Sequence, residues 1–156
     1  MANTAAQKDI VKKSEISGFI LERTAKRMKQ HFQQSLAAAA AGITIDQWVV
    51  LQELDKQNGL SQLEIAKATF KDAPTITRII DLLCQKELTQ RVIDDQDRRR
   101  FKIQLTPKGY KRIAELMPVI KDARQKAWGG LPDKDIDHLV KTLNIVFNNL
   151  SSEDTK

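Results

Sequence analysis

The order of apolar and polar positions along the chain predicts six helices and one hairpin. Between about Ser14 and Ala41, Ile16, Phe19, Ile20 and Phe32 recur near helical spacing among Glu, Lys, Arg and Gln, the mark of a long amphipathic helix. The run Ala37–Ala41 favours helix, and Gly42 is placed to end it. Thr44 and Gln47 form a capping-box pattern, so a second helix should start near Ile45. Trp48, Leu51 and Leu54 share one face of it, and Asn58-Gly59 marks its end. Ser61 and Glu64 repeat the capping-box pattern and open a short helix to about Ala68, with Leu63, Ile65 and Ala66 as its apolar residues.

Asp72 is placed to cap the next helix, Ala73 to about Glu87, and Pro74 is tolerated in its first turn. Ile76, Ile79, Ile80 and Leu83 line one face, while Pro74, Thr77, Arg78, Asp81 and Gln85 line the other. A capped short helix, a tight turn and an amphipathic helix make a helix-turn-helix. Two strands follow. Arg91-Val92-Ile93 is short, and Phe101–Leu105 alternates with period two. The loop DDQDRRR joins them into a hairpin. Thr106-Pro107 starts a fifth helix through Ile113, Leu116, Ile120 and Ala123 to about Trp128. Pro118 should kink or split it, and Gly129-Gly130 should end it. The sixth helix begins near Asp133, with Ile136, Leu139, Val140, Leu143, Val146, Phe147 and Leu150 on one stripe; the tail SSEDTK is expected to fray.

Composition narrows the class. With 41% hydrophobic residues in 156, the chain is expected to be globular, as one domain or two intimately packed subdomains. No apolar run approaches the roughly 20 residues that cross a bilayer, and MANTAAQKDIVKKSE lacks the apolar core of a signal peptide. The single cysteine, Cys84, excludes an intrachain disulfide and fits a reducing compartment, so a cytoplasmic protein is expected. The net charge of +6 is concentrated: residues 61–112 hold 12 Lys+Arg against 7 Asp+Glu, and the rest of the chain holds 14 against 13. Focused basic charge favours a polyanionic partner, since phosphate contacts release counterions.

A helix-turn-helix followed by a charged hairpin is a winged helix. The strings ITIDQWVVLQEL and LSQLEIAKATFKDAPTITRIIDLL, with the DxxDRR wing and the following LTPKG, resemble the MarR-type transcriptional regulators over roughly Ile43 to Gly109. The helical flanks agree in length and order only. The fold expected is mainly α with a small β-hairpin wing: a winged helix-turn-helix plus a helical dimerisation region. The expected organisation is an N-terminal dimerisation helix over 1–42, a DNA-binding domain over 43–106 and C-terminal dimerisation helices over 107–156.

The resemblance implies a homodimer that places a recognition helix in each major groove of double-stranded DNA and a wing arginine in each adjacent minor groove. The residues agree with this. A helix starting at Ala73 fits a major groove, with its N-terminal half toward base edges. Arg78 is the first candidate for a base or phosphate contact. Thr75 and Thr77 suit phosphates or thymine methyls, and Ser61 and Pro74 complete the candidate surface. A narrow minor groove attracts inserted arginine, which makes Arg98, Arg99 and Arg100 the wing candidates without choosing among them. Asp97 is placed to brace an arginine by a bidentate pair. The family pattern implies that Asp72 pairs with Arg99. The contrary reading of this loop is a solvated run of charges worth almost nothing to stability.

Two further implications follow from the resemblance. Many relatives bind a small aromatic or phenolic effector between the dimer helices and the winged domain; Met28, His31, Phe32, Trp48 and Leu51 are candidates for such a crevice, with ordinary core packing as the alternative. Where the family often has glycine after the recognition helix, this chain has Glu87, so either the helix ends differently or Glu87 bears a left-handed strain. No glycine-rich phosphate loop, HExxH or CxxC is present, His31 and His138 fall in different helices, and no cofactor, metal or catalytic function is expected. The expectation is a dimeric repressor acting on a pseudopalindromic operator and released by a small molecule. The alternative is a winged-helix module that binds protein without specific DNA binding.

Overall fold

The computed structural model describes the backbone of residues 2–151 and the side chains of residues 12–151. The expected fraying of the tail therefore lies, from residue 152 onward, outside the described residues. The elements are α1 (Ala2–Ala38), α2 (Ile45–Lys56), β1 (Leu60–Ser61), α3 (Gln62–Thr69), α4 (Ala73–Gln85), β2 (Thr89–Ile93), β3 (Phe101–Leu105), α5 (Pro107–Trp128) and α6 (Asp133–Ser151). The fold is mainly helical with a small antiparallel sheet, as expected.

The sheet has three strands, in the order β1-β3-β2, where the sequence pattern predicts two. Leu60 pairs with Ile103 and Ser61 with Lys102, so the residue that caps α3 also belongs to a strand. A two-residue strand is too short to show a period, which is why the pattern misses it. In the hairpin Thr89 faces Leu105 and Ile93 faces Phe101, so β2 begins two residues before the Arg91 that the pattern marks.

Helix ends follow the chemistry of their caps. Thr44 and Ser61 form full capping boxes with Gln47 and Glu64. Four ends differ from expectation. α1 starts at Ala2, earlier than expected, and stops at Ala38 rather than running to Gly42. Ala40 takes the left-handed position (φ 49°), donating to Ala37 at 3.0 Å while Ala41 donates to Leu36 at 3.0 Å. These two bonds satisfy the Leu36 and Ala37 carbonyls, so the helix is closed before Gly42 is reached. α2 stops at Lys56 with an extended Gln57, and Gly59 (φ 82°) instead turns the chain into β1. α4 stops at Gln85 in the same way as α1, with Glu87 left-handed at φ 60°. α5 runs unbroken through Pro118, so the expected split does not occur.

Ile65, Ile76, Ile80, Leu83 and Ile103 are fully buried and join Trp48, Leu51 and Leu54 from α2 in one core with Ile113, Leu116 and Ile120 from α5. Contacts divide the chain into two compact units, Met1–Ala123 and Arg124–Lys156. The second holds α6, which buries none of its residues. Among the described residues no helix is long and apolar enough to cross a membrane.

Candidate nucleic-acid interface

α4 is amphipathic because its isoleucines recur at helical spacing, and burial of Ile76, Ile79, Ile80 and Leu83 turns the opposite face outward. Pro74, Thr75, Thr77 and Arg78 are all exposed there, and Ser61 is half-buried at the start of α3. Asp72 fixes the start of the helix: its Oδ1 accepts from the Thr75 backbone at 2.8 Å and its Oδ2 from the Thr75 hydroxyl at 2.8 Å. Those two hydrogen bonds, the backbone one first, hold the Asp72 carboxyl below the usual carboxylate range. The pairing of Asp72 with Arg99 that the family pattern implies is not made: among the described residues no ion pair joins them. Each carboxylate oxygen instead accepts one hydrogen bond from Thr75.

The two threonines are also occupied. The Thr75 hydroxyl proton goes to Asp72 and that of Thr77 to Ala73 O at 3.0 Å. Gln62 of α3 donates to Thr77 Oγ1 at 2.9 Å, joining the two helices of the helix-turn-helix. Among the described residues no hydrogen bond or ion pair holds Arg78. The outward face therefore offers one uncommitted guanidinium and two threonine methyl groups.

The wing is a braced loop rather than a free one. Asp94 N donates to Arg100 O at 2.9 Å, and Arg100 N to Asp97 O at 2.8 Å. Asp97 Oδ1 accepts from Arg99 N at 3.1 Å, and its Oδ2 lies 3.3 Å from Arg100 Nε. The contact to the Arg100 guanidinium is thus a single one, and the other oxygen closes the turn. Asp94 does as much: it accepts from Gln96 N at 3.0 Å and pairs with Lys102 at 3.3 Å. The Gln96 hydrogen bond is the main cause holding Asp94 below the usual range. Arg98 and Arg99 carry exposed side chains with no ion pair among the described residues.

Two braces escape the sequence reading. Asp94 is the first acid of the DxxDRR string, so its signal was there but assigned to no role. Arg91 Nη2 lies 2.6 Å from Asp81 Oδ1 and ties β2 to α4; the two are ten residues apart on different elements, and nothing in the pattern joins them. Cys84 is half-buried beside this pair, 3.4 Å from Thr89 Oγ1.

The crevice candidates divide. Trp48 and Leu51 lie in the core with almost no exposed surface, and Phe32 packs against that core. Met28 and His31 are half-buried, with His31 Nε2 3.2 Å from Ala123 O. A cavity of about 490 Å³ lies elsewhere, lined by Gln33, Thr44 and Asp46 on one side and Pro74, Thr75 and Arg78 on the other, and includes none of those five.

A capped helix-turn-helix beside an arginine-tipped hairpin defines a winged-helix protein. The MarR family model matches residues 43–101. BpsR of Bordetella bronchiseptica, whose DNA binding is regulated by 6-hydroxynicotinic acid, is 30% identical over 83% of this chain and 91% of its own, with a TM-score of 0.75. MepR of S. aureus, solved as a complex with DNA, is 28% identical over 85% of this chain and 96% of its own, also with a TM-score of 0.75. Apo wild-type MarR from E. coli shares the fold, at 22% identity and a TM-score of 0.67 over 83% of this chain and 95% of its own. The chain belongs to the MarR family of winged-helix transcriptional regulators.

Proposed function

We propose that the protein is a homodimeric repressor that binds a pseudopalindromic operator in double-stranded DNA and is released by a small-molecule effector. The observation that carries the DNA reading is the outward face of α4, where Arg78 is exposed and unpaired among the described residues over a fully buried isoleucine face. Arg78 reads a base edge or grips a phosphate, and the threonine methyls touch thymine. The wing presents Arg98, Arg99 and Arg100 to a minor groove, with Asp97 closing the turn beneath them.

The dimer reading rests on surface chemistry. Leu139, Val140, Leu143, Val146 and Leu150 on α6 are 36–68% exposed, and Phe19 on α1 is 64% exposed. Contiguous apolar stripes of this kind are normally covered, and a second copy of the chain supplies the cover. Residues 1–42 and 107–156 serve dimerisation in this reading, and 43–106 serve DNA. A dimer fixes the spacing of two recognition helices against half-sites about one helical turn apart. An effector that prefers another spacing shifts the population away from DNA binding, as the ligand regulation of BpsR exemplifies for a relative.

The deciding experiment is DNA affinity against salt concentration, using genomic fragments that include the region upstream of the protein's own gene. Tight, sequence-selective binding that falls steeply with salt supports the reading. Weak binding, indifferent to salt and to loss of Arg78, overturns it in favour of a protein-binding module.

A further inference from the structure

The recognition helix is gripped at both ends by lysines that converge on one short stretch of chain. Lys71, immediately before the cap of α4, lies with its Nζ 2.8 Å from Asp46 Oδ1. Lys86, the residue that closes α4, donates to Gly42 O at 2.7 Å and to Gln47 Oε1 at 2.8 Å. Both sets of acceptors belong to residues 42–47, the α1–α2 connection and the first turn of α2. That stretch is anchored in turn to α1: Lys29 reaches Asp46 Oδ2 at 3.0 Å, and Gln33 Oε1 accepts from Ile45 N at 2.9 Å.

Between these two grips the outward side of α4 borders open space. The cavity of about 490 Å³ opens there, with Asp46 and Gln47 on one wall and Thr75 and Arg78 on the other. Core packing of Ile76, Ile79, Ile80 and Leu83 holds the inward face of α4. On the cavity side the charged contacts at its two ends add to what fixes its tilt. Lys71 is only 21% exposed, and its ammonium is turned onto Asp46. Charge-assisted hydrogen bonds of this length are the stronger kind.

We propose that Lys71 and Lys86 are positioning residues, which clamp the recognition helix at a fixed tilt on the α1–α2 connection through Asp46, Gln47 and the Gly42 carbonyl, and so set DNA affinity without touching DNA. The proposal rests on the DNA-binding reading above. It assigns to Asp46 a role opposite to that of bulk charge. Removing an acidic group from a DNA-binding lobe ordinarily raises affinity for a polyanion. Here removal of Asp46 releases one end of the clamp and lowers it.

The test uses the full chain and a labelled duplex recovered by the wild-type protein from a random-sequence pool. Asp46→Asn, Lys71→Met and Lys86→Met should each weaken binding to that duplex, on the order of tenfold. The double variant Asp46→Asn/Lys71→Met should be no weaker than the weaker single one, because the two residues act as one contact. The slope of affinity against salt should be unchanged in Lys71→Met, whereas a lost phosphate contact lowers it by about one. Lys71→Arg, which keeps the ion pair, should bind like wild type. Thermal midpoints checked beside the affinities exclude simple unfolding. If Asp46→Asn binds as tightly as wild type or more tightly, or if Lys71→Met loses salt slope, the clamp is wrong and Lys71 is a phosphate contact or a bystander. If the pool yields no duplex for the wild type, the DNA reading fails and takes the clamp with it.

Discussion

The carbonyl oxygen of Leu88 stands where a β-carbon on Gly109 would lie. The same oxygen accepts from Thr106 N at 3.1 Å, so the first turn of α5 is seated on the chain as it leaves the recognition helix. The glycine of the LTPKG string is therefore a steric requirement. Gly109→Ala should push the start of α5 off its seat and cost about 1–3 kcal/mol, as overpacking does. Urea denaturation checks this; an unchanged midpoint would show that the contact relaxes freely.

Glu87 lies at φ 60° at the end of α4. A non-glycine residue in that conformation carries roughly 1 kcal/mol of strain. Its carboxylate lies 2.8 Å from Lys108 Nζ, and that contact holds it below the usual range, but both side chains are well exposed and the pair adds little. Glu87→Gly should thus raise the denaturation midpoint. Ala40→Gly, at φ 49° after α1, should do the same. A fall in both variants would show that unfolded-state entropy outweighs the strain.

The arginines should separate by salt dependence. Arg78→Ala should cost about 1–3 kcal/mol of affinity and, if it reads a base, relax sequence selectivity. Arg98→Ala and Arg99→Ala should weaken binding across sequences and lower the salt slope by about one each where they touch phosphate. Asp97→Ala should weaken binding through the wing turn that it closes, with the slope unchanged. Titrations at several salt concentrations distinguish these outcomes.

Acid should unfold the protein from its helix starts. Partial burial alone raises the Asp46 carboxyl, but the hydrogen bonds and charges of Lys71 and Lys29 outweigh it and hold the group low. Glu64 is held low by the Ser61 backbone and hydroxyl, and Asp72 by Thr75. Depressed folded-state values mean that the unfolded chain takes up protons first. The stability they add is complete above the ordinary carboxylate range near pH 4 and is lost as pH falls through the lower folded values. Urea midpoints measured from pH 6 down to pH 2 should fall, and Asp46→Asn should flatten the curve.

Leu143→Glu in the exposed stripe of α6 should shift the protein toward monomer without unfolding it, because no residue of α6 is buried within one chain. Sedimentation at micromolar concentration checks this. A wild type that is already monomeric there would refute the dimer.

Sequence by itself determined most of the fold. Capping boxes at Thr44 and Ser61, the Asp72 cap and the isoleucine face of α4 are local signals, because helix starts and faces depend on residues three or four apart. The wing was legible for the same reason, since period-two alternation and an acid-arginine loop are read from neighbours. What needed the tertiary structure were the contacts between elements far apart in the chain. The β1 strand forms only when β3 arrives beside Leu60. Arg91 meets Asp81 only once β2 lies beside α4. The grip of Lys71 and Lys86 on residues 42–47 joins positions 25 to 44 residues apart. No periodicity encodes such pairs, because the free energy that selects them exists only after the helices have packed.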